Sequence, residues 1–260
     1  MIEVKHLYKS FEDKDILKDI NLTLEKGKVN FIIGQSGSGK SVLTKCIVGL
    51  YDPSRGNVFY DGRNFTGMSR KEKNKVRQEI GMLFQGGALF DSLTVIENVM
   101  FPLTIFTDMK EKEMLERAEF CLNRVNLEGV GHLYPAETSG GMQKRIGIAR
   151  AIVMNPKYLF CDEPNSGLDP KTAIVIDNLI KEITYEYKIT TVVISHDMNS
   201  VIEIGDIINF LYEGQMWWSG GKKELITTEN KELAEFVYAS ELMKDIRAEL
   251  IEHYTNNTDE

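Results

Sequence analysis

No stretch of this chain comes near the roughly 18 consecutive apolar residues that a helix needs to cross a bilayer, although 42% of its 260 residues are hydrophobic. Any work at a membrane is therefore expected from the surface or through a partner. Cysteine is scarce. Cys46, Cys121 and Cys161 lie far apart, show no metal-ligand spacing, and are odd in number, which argues against a disulfide framework. A reducing, cytosolic compartment suits that usage. Basic charge is not in excess, since 31 Lys and Arg face 39 Asp and Glu for a net −8, so no overall nucleic-acid footprint is present. Met1 to Lys9 mixes charge with apolar residues and does not read as a signal peptide. There is no internal repeat, no low-complexity segment and no Asn-Lys-x-Asp guanine-reading motif. Only the tail, Thr255 to Glu260, is polar and acidic enough to read as disordered.

What is present alternates strand and helix. Ile2–Leu7 and Ile20–Leu24 alternate apolar and polar residues, as edge-type strands do. Val29–Ile33 is a short apolar run, and Ser41–Leu50 after it has helical apolar spacing. Lys71–Arg77 reads as a solvated helix. From about Phe84 to Arg150 the texture is mostly helical: Thr94 with Glu97 forms a capping-box pattern, and Lys110–Leu127 is amphipathic. Lys157–Cys161 and Thr190–Ile194 read as buried parallel strands around a helix at Lys171–Tyr187. A parallel-sheet α/β core with an inserted helical part follows.

Three segments carry chemistry. The first is Gly34-Gln35-Ser36-Gly37-Ser38-Gly39-Lys40-Ser41, between a strand and a helix. Its glycines let backbone N–H groups surround phosphate oxygens, and the helix N-terminus adds a favourable dipole. Lys40 is placed to reach the β- and γ-phosphates and Ser41 to ligate Mg²⁺. The second is Tyr158-Leu159-Phe160-Cys161-Asp162-Glu163, an apolar strand ending in two carboxylates. Asp162 suits Mg²⁺ held through water, and Glu163 suits orienting or deprotonating an attacking water. The third is Ser139-Gly140-Gly141 before a helix at Gln143–Val153, a second anion-binding terminus. One ATP does not need two cradles on one chain, whereas two facing chains could share them.

The ordered set of the phosphate loop, Gln85, Ser139-Gly140-Gly141, Asp162-Glu163, Ser166-Gly167-Leu168-Asp169 and Ser195-His196-Asp197 resembles the nucleotide-binding subunits of ABC transporters over about residues 2 to 221. The resemblance implies an α/β fold: a P-loop NTPase (RecA-like) core of mainly parallel sheet, an antiparallel part near the N-terminus and an inserted helical subdomain at about 85–150. It implies a domain over 1–221 and a C-terminal helical extension over 222–260. It also implies ATP hydrolysis with ATP and Mg²⁺, in a head-to-tail dimer that sandwiches two nucleotides beneath a membrane permease. On that pattern Gln85 senses Mg²⁺ and the permease, Asp169 lies at the dimer seam, and His196 contacts the γ-phosphate. Phe11 lies where the family places an aromatic against adenine, with Tyr8 as rival. Two departures stand out. Thr138 replaces the usual leucine, which puts the packing beneath the loop in question, and Met142 replaces the commoner glutamine.

A narrower resemblance lies in Gly81 to Val95, with Glu97-Asn98-Val99 and Phe101-Pro102-Leu103. These residues are similar to the ATPase subunits of Mla/MCE phospholipid transporters. That implies lipid cargo, an MCE-domain protein in the assembly and a peripheral place on the cytoplasmic face of the inner (plasma) membrane. Amino-acid import, lipoprotein export and a soluble non-transport ABC ATPase are the rivals. Near the C-terminus, Ala239, Leu242, Met243, Ile246 and Leu250 fall on one helical stripe, for which self-packing and contact with another chain are both open.

Overall fold

A computed structural model describes residues 1–239, 244–245, 247–249 and 251. Most of the stripe that begins at Ala239 lies outside them.

The chain opens with a long hairpin, β1 (Ile2–Phe11) and β2 (Lys14–Leu24), which pairs with β4 (Arg55–Tyr60) and the short β5 (Arg63–Asn64) in an antiparallel sheet ordered β2-β1-β4-β5. The hairpin runs well past the alternating residues visible in sequence. Its far half is largely polar and exposed or half-exposed apart from buried Leu17, so no run of alternating buried residues marks it, and Glu12 turns it at a positive φ of 52°.

The central sheet is ordered β10-β9-β3-β8-β7-β6, from β3 (Val29–Ile33), β6 (Ile80–Leu83), β7 (Tyr158–Asp162), β8 (Thr190–Ile194), β9 (Ile207–Tyr212) and β10 (Gln215–Gly220). All its neighbours run parallel except β10, which pairs antiparallel with β9. Because side chains alternate across a strand, the sheet feeds two cores. Phe31, Leu159, Cys161 and Val193 face one, and Ile32, Tyr158, Phe160 and Val192 face the other. The second core also takes α1 (Lys40–Ile47), through Leu43, Cys46 and Ile47, and the inner face of the N-terminal sheet. Asn30 is the polar exception within fully buried β3. Its amide donates to the carbonyls of Glu25, Lys28 and Thr191 and accepts from Glu25 N–H, so every pairing demand is met.

The helical part begins after β6. The short α2 (Arg70–Gln78) precedes it, and α3 (Val95–Phe106), α4 (Glu111–Arg124) and α5 (Gly140–Ile152) pack together against the first core. Thr94 and Glu97 form the capping box that opens α3. Buried Asn98 pins the preceding loop: its amide donates to the carbonyls of Phe90, Leu93 and Thr94, and its oxygen accepts from Phe90 N–H. The seam between α5 and the sheet is very close. A Cβ on Gly81 would stand 2.3 Å from the Ala151 carbonyl, and one on Gly147 2.7 Å from a Leu83 methyl. After β7, α6 (Pro170–Tyr187) returns the chain to β8, and α7 (Met198–Ile204) leads to β9. Past β10, α8 (Lys222–Ile226) and α9 (Lys231–Val237) bury Leu225, Leu233 and Val237 in the first core. Among the described residues no helix is long and apolar enough to cross a membrane.

Candidate functional site

The C-terminal ends of β3, β7 and β8 meet at one edge of the central sheet, where parallel α/β folds place their ligands. A cleft of about 650 Å³ opens there, lined by Gly34, Gln35, Ser36, Gly37, Gly39, Lys40 and Ser41, by Gln85, Asp162, Glu163 and His196, and by Ile16, Val42, Ile194 and Phe236. The residues that the sequence marks in the phosphate loop, at the end of β7 and after β8 are therefore brought together.

The loop folds as it does because of its glycines. Gly34 has φ 153° and backs onto the Leu211 carbonyl, where a Cβ would come to 2.2 Å. Gly39, at φ 108°, caps α1 with no side chain of its own. The loop has capacity to spare. Buried Ser38 Oγ has no partner, and the Lys40 ammonium folds back onto the carbonyls of Gly34 (2.6 Å) and Gln35 (3.0 Å). Burial lowers the Lys40 pKa, while Glu163 and Asp162 raise it back in part. A half-buried ammonium, an unpaired hydroxyl and a free helix N-terminus make a donor set that fits a polyphosphate.

Across the cleft, burial first and the Glu163 charge second push the Asp162 carboxyl above its ordinary range. Among the described residues no three His, Cys, Asp or Glu side chains converge as a ready-made metal site. Ser41, Asp162 and Gln85 instead offer the sparse oxygen set of a Mg²⁺ ion that keeps waters and shares its shell with phosphates. Glu163 has a φ of +46°, a left-handed conformation that costs a non-glycine residue roughly 1 kcal/mol. It is held there: its N–H donates to the Ile194 carbonyl at 2.9 Å, and its Oε1 lies 2.8 Å from His196 Nδ1. The Glu163 side chain is 16% exposed and that of His196 72%, so a sheltered carboxylate stands beside an open imidazole. Gln85 reaches across to Ser166 Oγ at 3.3 Å.

Ser139, Gly140 and Gly141 do not line this cleft. They sit exposed or half-exposed at the start of α5, where Ser139 Oγ accepts the Met142 N–H as a helix cap. Gly141 is needed where it stands, since a Cβ would press on Thr172 of α6 at 2.6 Å. The packing beneath the loop is sound with threonine at 138: Thr138 Oγ donates to the Pro135 carbonyl at 2.7 Å, and the Gln143 amide donates to the same carbonyl. Asp169 caps α6, accepting from the N–H groups of Lys171 and Thr172. Phe11 is not among the lining residues; its ring stands edge-on to Tyr51 at 5.4 Å. The apolar side chains of the cleft are Ile16, Val42, Ile194 and Phe236. Phe236, on α9 against Phe210, carries no motif that could have flagged it.

Residues 17–166 match the ABC transporter family. The chain is 38% identical to a methionine import ATP-binding protein MetN of Desulfitobacterium hafniense, over 97% of this chain and 76% of that protein. It is 35% identical to the intermembrane phospholipid transport system ATP-binding protein MlaF of Haemophilus influenzae, over 91% of this chain and 90% of that one. Among solved structures, the ATP-binding cassette MJ0796, a dimer bound to ADP and Pi in a post-hydrolysis state, is 33% identical with a TM-score of 0.78, covering 85% of this chain and 99% of that chain. The cbiO1 subunit of the Clostridium perfringens cbiONQ complex has a TM-score of 0.82 at 31% identity, covering 96% and 98%. Cassettes of this kind dimerise and work with membrane permease subunits. With the cleft, its donors and its two carboxylates, these likenesses make the chain a member of the ABC transporter family, an ATPase that takes ATP with Mg²⁺.

Proposed function

We propose that this chain energises phospholipid transport, working in pairs beneath a permease at the cytoplasmic face of the inner (plasma) membrane, in an assembly that includes an MCE-domain protein. The observation that carries the membrane role is an exposed aromatic groove of about 480 Å³ just past the cleft. Phe84 (41% exposed), Phe90 (43%), Phe101 (37%) and Phe106 (52%) gather there around Pro102, with Arg77 and Arg150 also in the lining. Contiguous exposed apolar surface marks a docking site, and an amphipathic helix of a permease suits a groove of this kind. The lipid cargo is supported by the residues from Gly81 to Val95 and by the MlaF relative. Amino-acid import is the second reading, supported by the MetN relative.

Within the site, Lys40 and the loop N–H groups hold the nucleotide's phosphates, while Ser41, Asp162 and Gln85 hold the metal. Mg²⁺, when bound, neutralises charge developing on the phosphates. Glu163 orients the attacking water and takes its proton at a carboxylate oxygen, and His196 fixes that carboxylate through the 2.8 Å contact. Ser139, Gly140 and Gly141 of a second copy complete the cradle, with Asp169 at the seam between the two chains. Glu163→Gln keeps the shape and removes the base. Hydrolysis should fall on the order of 10²- to 10⁴-fold, while a dimer accumulates in Mg-ATP. Turnover at the wild-type rate in that variant refutes the role. Affinity capture of the full chain from solubilised membranes, with mass spectrometry, separates the cargoes: an MCE-domain protein supports lipid, and a substrate-binding protein supports import.

A further inference from the structure

Lys144 is a lysine where lysines are seldom found. It sits in the second turn of α5 with 6% of its surface exposed. Its ammonium donates to two backbone carbonyls on different strand ends, Gln85 past β6 and Glu163 past β7, the latter at 3.3 Å. The Glu163 carbonyl belongs to a peptide bond with Pro164, which has no N–H of its own to offer. Lys144 thus holds one side of a residue whose other side is held by Ile194, and whose backbone sits in a conformation that persists only when its surroundings fix it.

We propose that Lys144 is a positioning residue for hydrolysis, tying the loop that carries Gln85 to the backbone of Glu163 and so fixing where the Glu163 carboxylate points. The proposal rests on the role of Glu163 given above. A purely structural tie does not need a charge. A neutral donor could serve either carbonyl, whereas burying an ammonium carries a large desolvation cost. Burial lowers the Lys144 pKa, and Glu163 and then Asp162 raise it back, so the cation lies in the field of both site carboxylates. It also links α5 to the backbone of Glu163 within one chain. Movement of α5 or of the Gln85 loop would reach Glu163 through this side chain.

The test uses the full chain with Lys144→Met, Lys144→Gln and Lys144→Arg, reading kcat, KM for ATP, dimer formation in Mg-ATP and thermal unfolding. Misplacement of a reacting group costs up to about 100-fold, so Lys144→Met should lower kcat roughly 10- to 100-fold. KM should stay within about 2-fold of wild type, as expected when only transition-state positioning is lost, and the ATP-dependent dimer should still form. Lys144→Arg, which keeps the charge and several donors, should recover most of the rate. A wild-type kcat in Lys144→Met overturns the proposal, as does a parallel loss of kcat, ATP affinity and dimer. If Lys144→Met does not fold, Lys144→Gln carries the same comparison, and failure of both to fold makes Lys144 a core strut and overturns the idea. Glu163→Gln run alongside separates the two levels. If it turns over normally, the reading of Glu163 fails. If it is dead while Lys144→Met is normal, only the present inference fails.

Discussion

Two helix N-termini of this chain enter the proposed site, and they differ in how finished they are. At α1 the loop holds an unpaired Ser38 hydroxyl, a Lys40 ammonium resting on carbonyls that a phosphate would replace, and walls on several sides. At α5 the Ser139 hydroxyl is already used as a cap, and Ser139 does not line the cleft. The first site can bind by itself. The second is an ordinary helix start until another surface closes over it. On the proposed shared site, one chain carries a full phosphate cradle and half of a clamp, and hydrolysis would need the clamp.

The largest test of that contrast is Ser139→Arg. Binding of ATP by a single chain should be unchanged, while hydrolysis should fall on the order of 10²- to 10³-fold, the usual loss when a preorganised donor is removed from a reacting centre. Equal losses in both assays would show that the two termini serve one site in one chain. Lys40→Ala should do the opposite, lowering single-chain affinity by roughly 10- to 100-fold through loss of a charge-assisted contact, as read by nucleotide titration. Phe106→Asp should leave single-chain ATP binding intact and shift stability by no more than about 0.5 kcal/mol, because the side chain is 52% exposed. Co-purification with a permease should be lost.

The smallest effect concerns Asp162. Its pKa is raised in the fold by burial and by Glu163, so the native state binds this proton more readily than the unfolded chain does. The charged form therefore penalises the fold above the folded pKa, and the penalty is relieved as pH falls below the unfolded one. Asp162→Asn should raise the melting temperature of the nucleotide-free chain by ~2 °C near pH 8. The gain should shrink toward pH 4, and Mg²⁺-dependent hydrolysis should be lost.

Much of this was legible in the sequence where one physical signal dominates. Val29–Ile33 and Thr190–Ile194 form strands at the expected bounds because a strand buried on both faces is a plain apolar run. Thr94 and Glu97 announced α3 because a capping box is a local device. What stayed hidden depends on distant neighbours. Ile80–Leu83 is only four residues long and interrupted by Gly81, so it shows no apolar run, yet the glycine is there because Ala151 passes against it. Gln215–Gly220 is an edge strand with alternate residues exposed, so it shows no apolar run. Lys144 in sequence is one more charge on a helix, and only the fold shows that its head lies between two strand ends. Phe236 reaches the cleft from the far end of the chain, through packing on Phe210 that no short motif encodes.

The seam at Gly81 and Gly147 has a mechanical consequence. Two elements that meet with no clearance behave as a keyed joint rather than a bearing: they cannot slide or roll without first separating. α5 and β6 must then travel as one piece, and the slack in this machine has to lie elsewhere. The Gly87–Ala88 turn belongs to the joint too, since Arg150 on α5 donates to the carbonyls of Gly87 (2.6 Å) and Ala88 (2.8 Å). A wedge as small as one methyl group, Gly147→Ala, would test whether the joint or the slack sets the stroke.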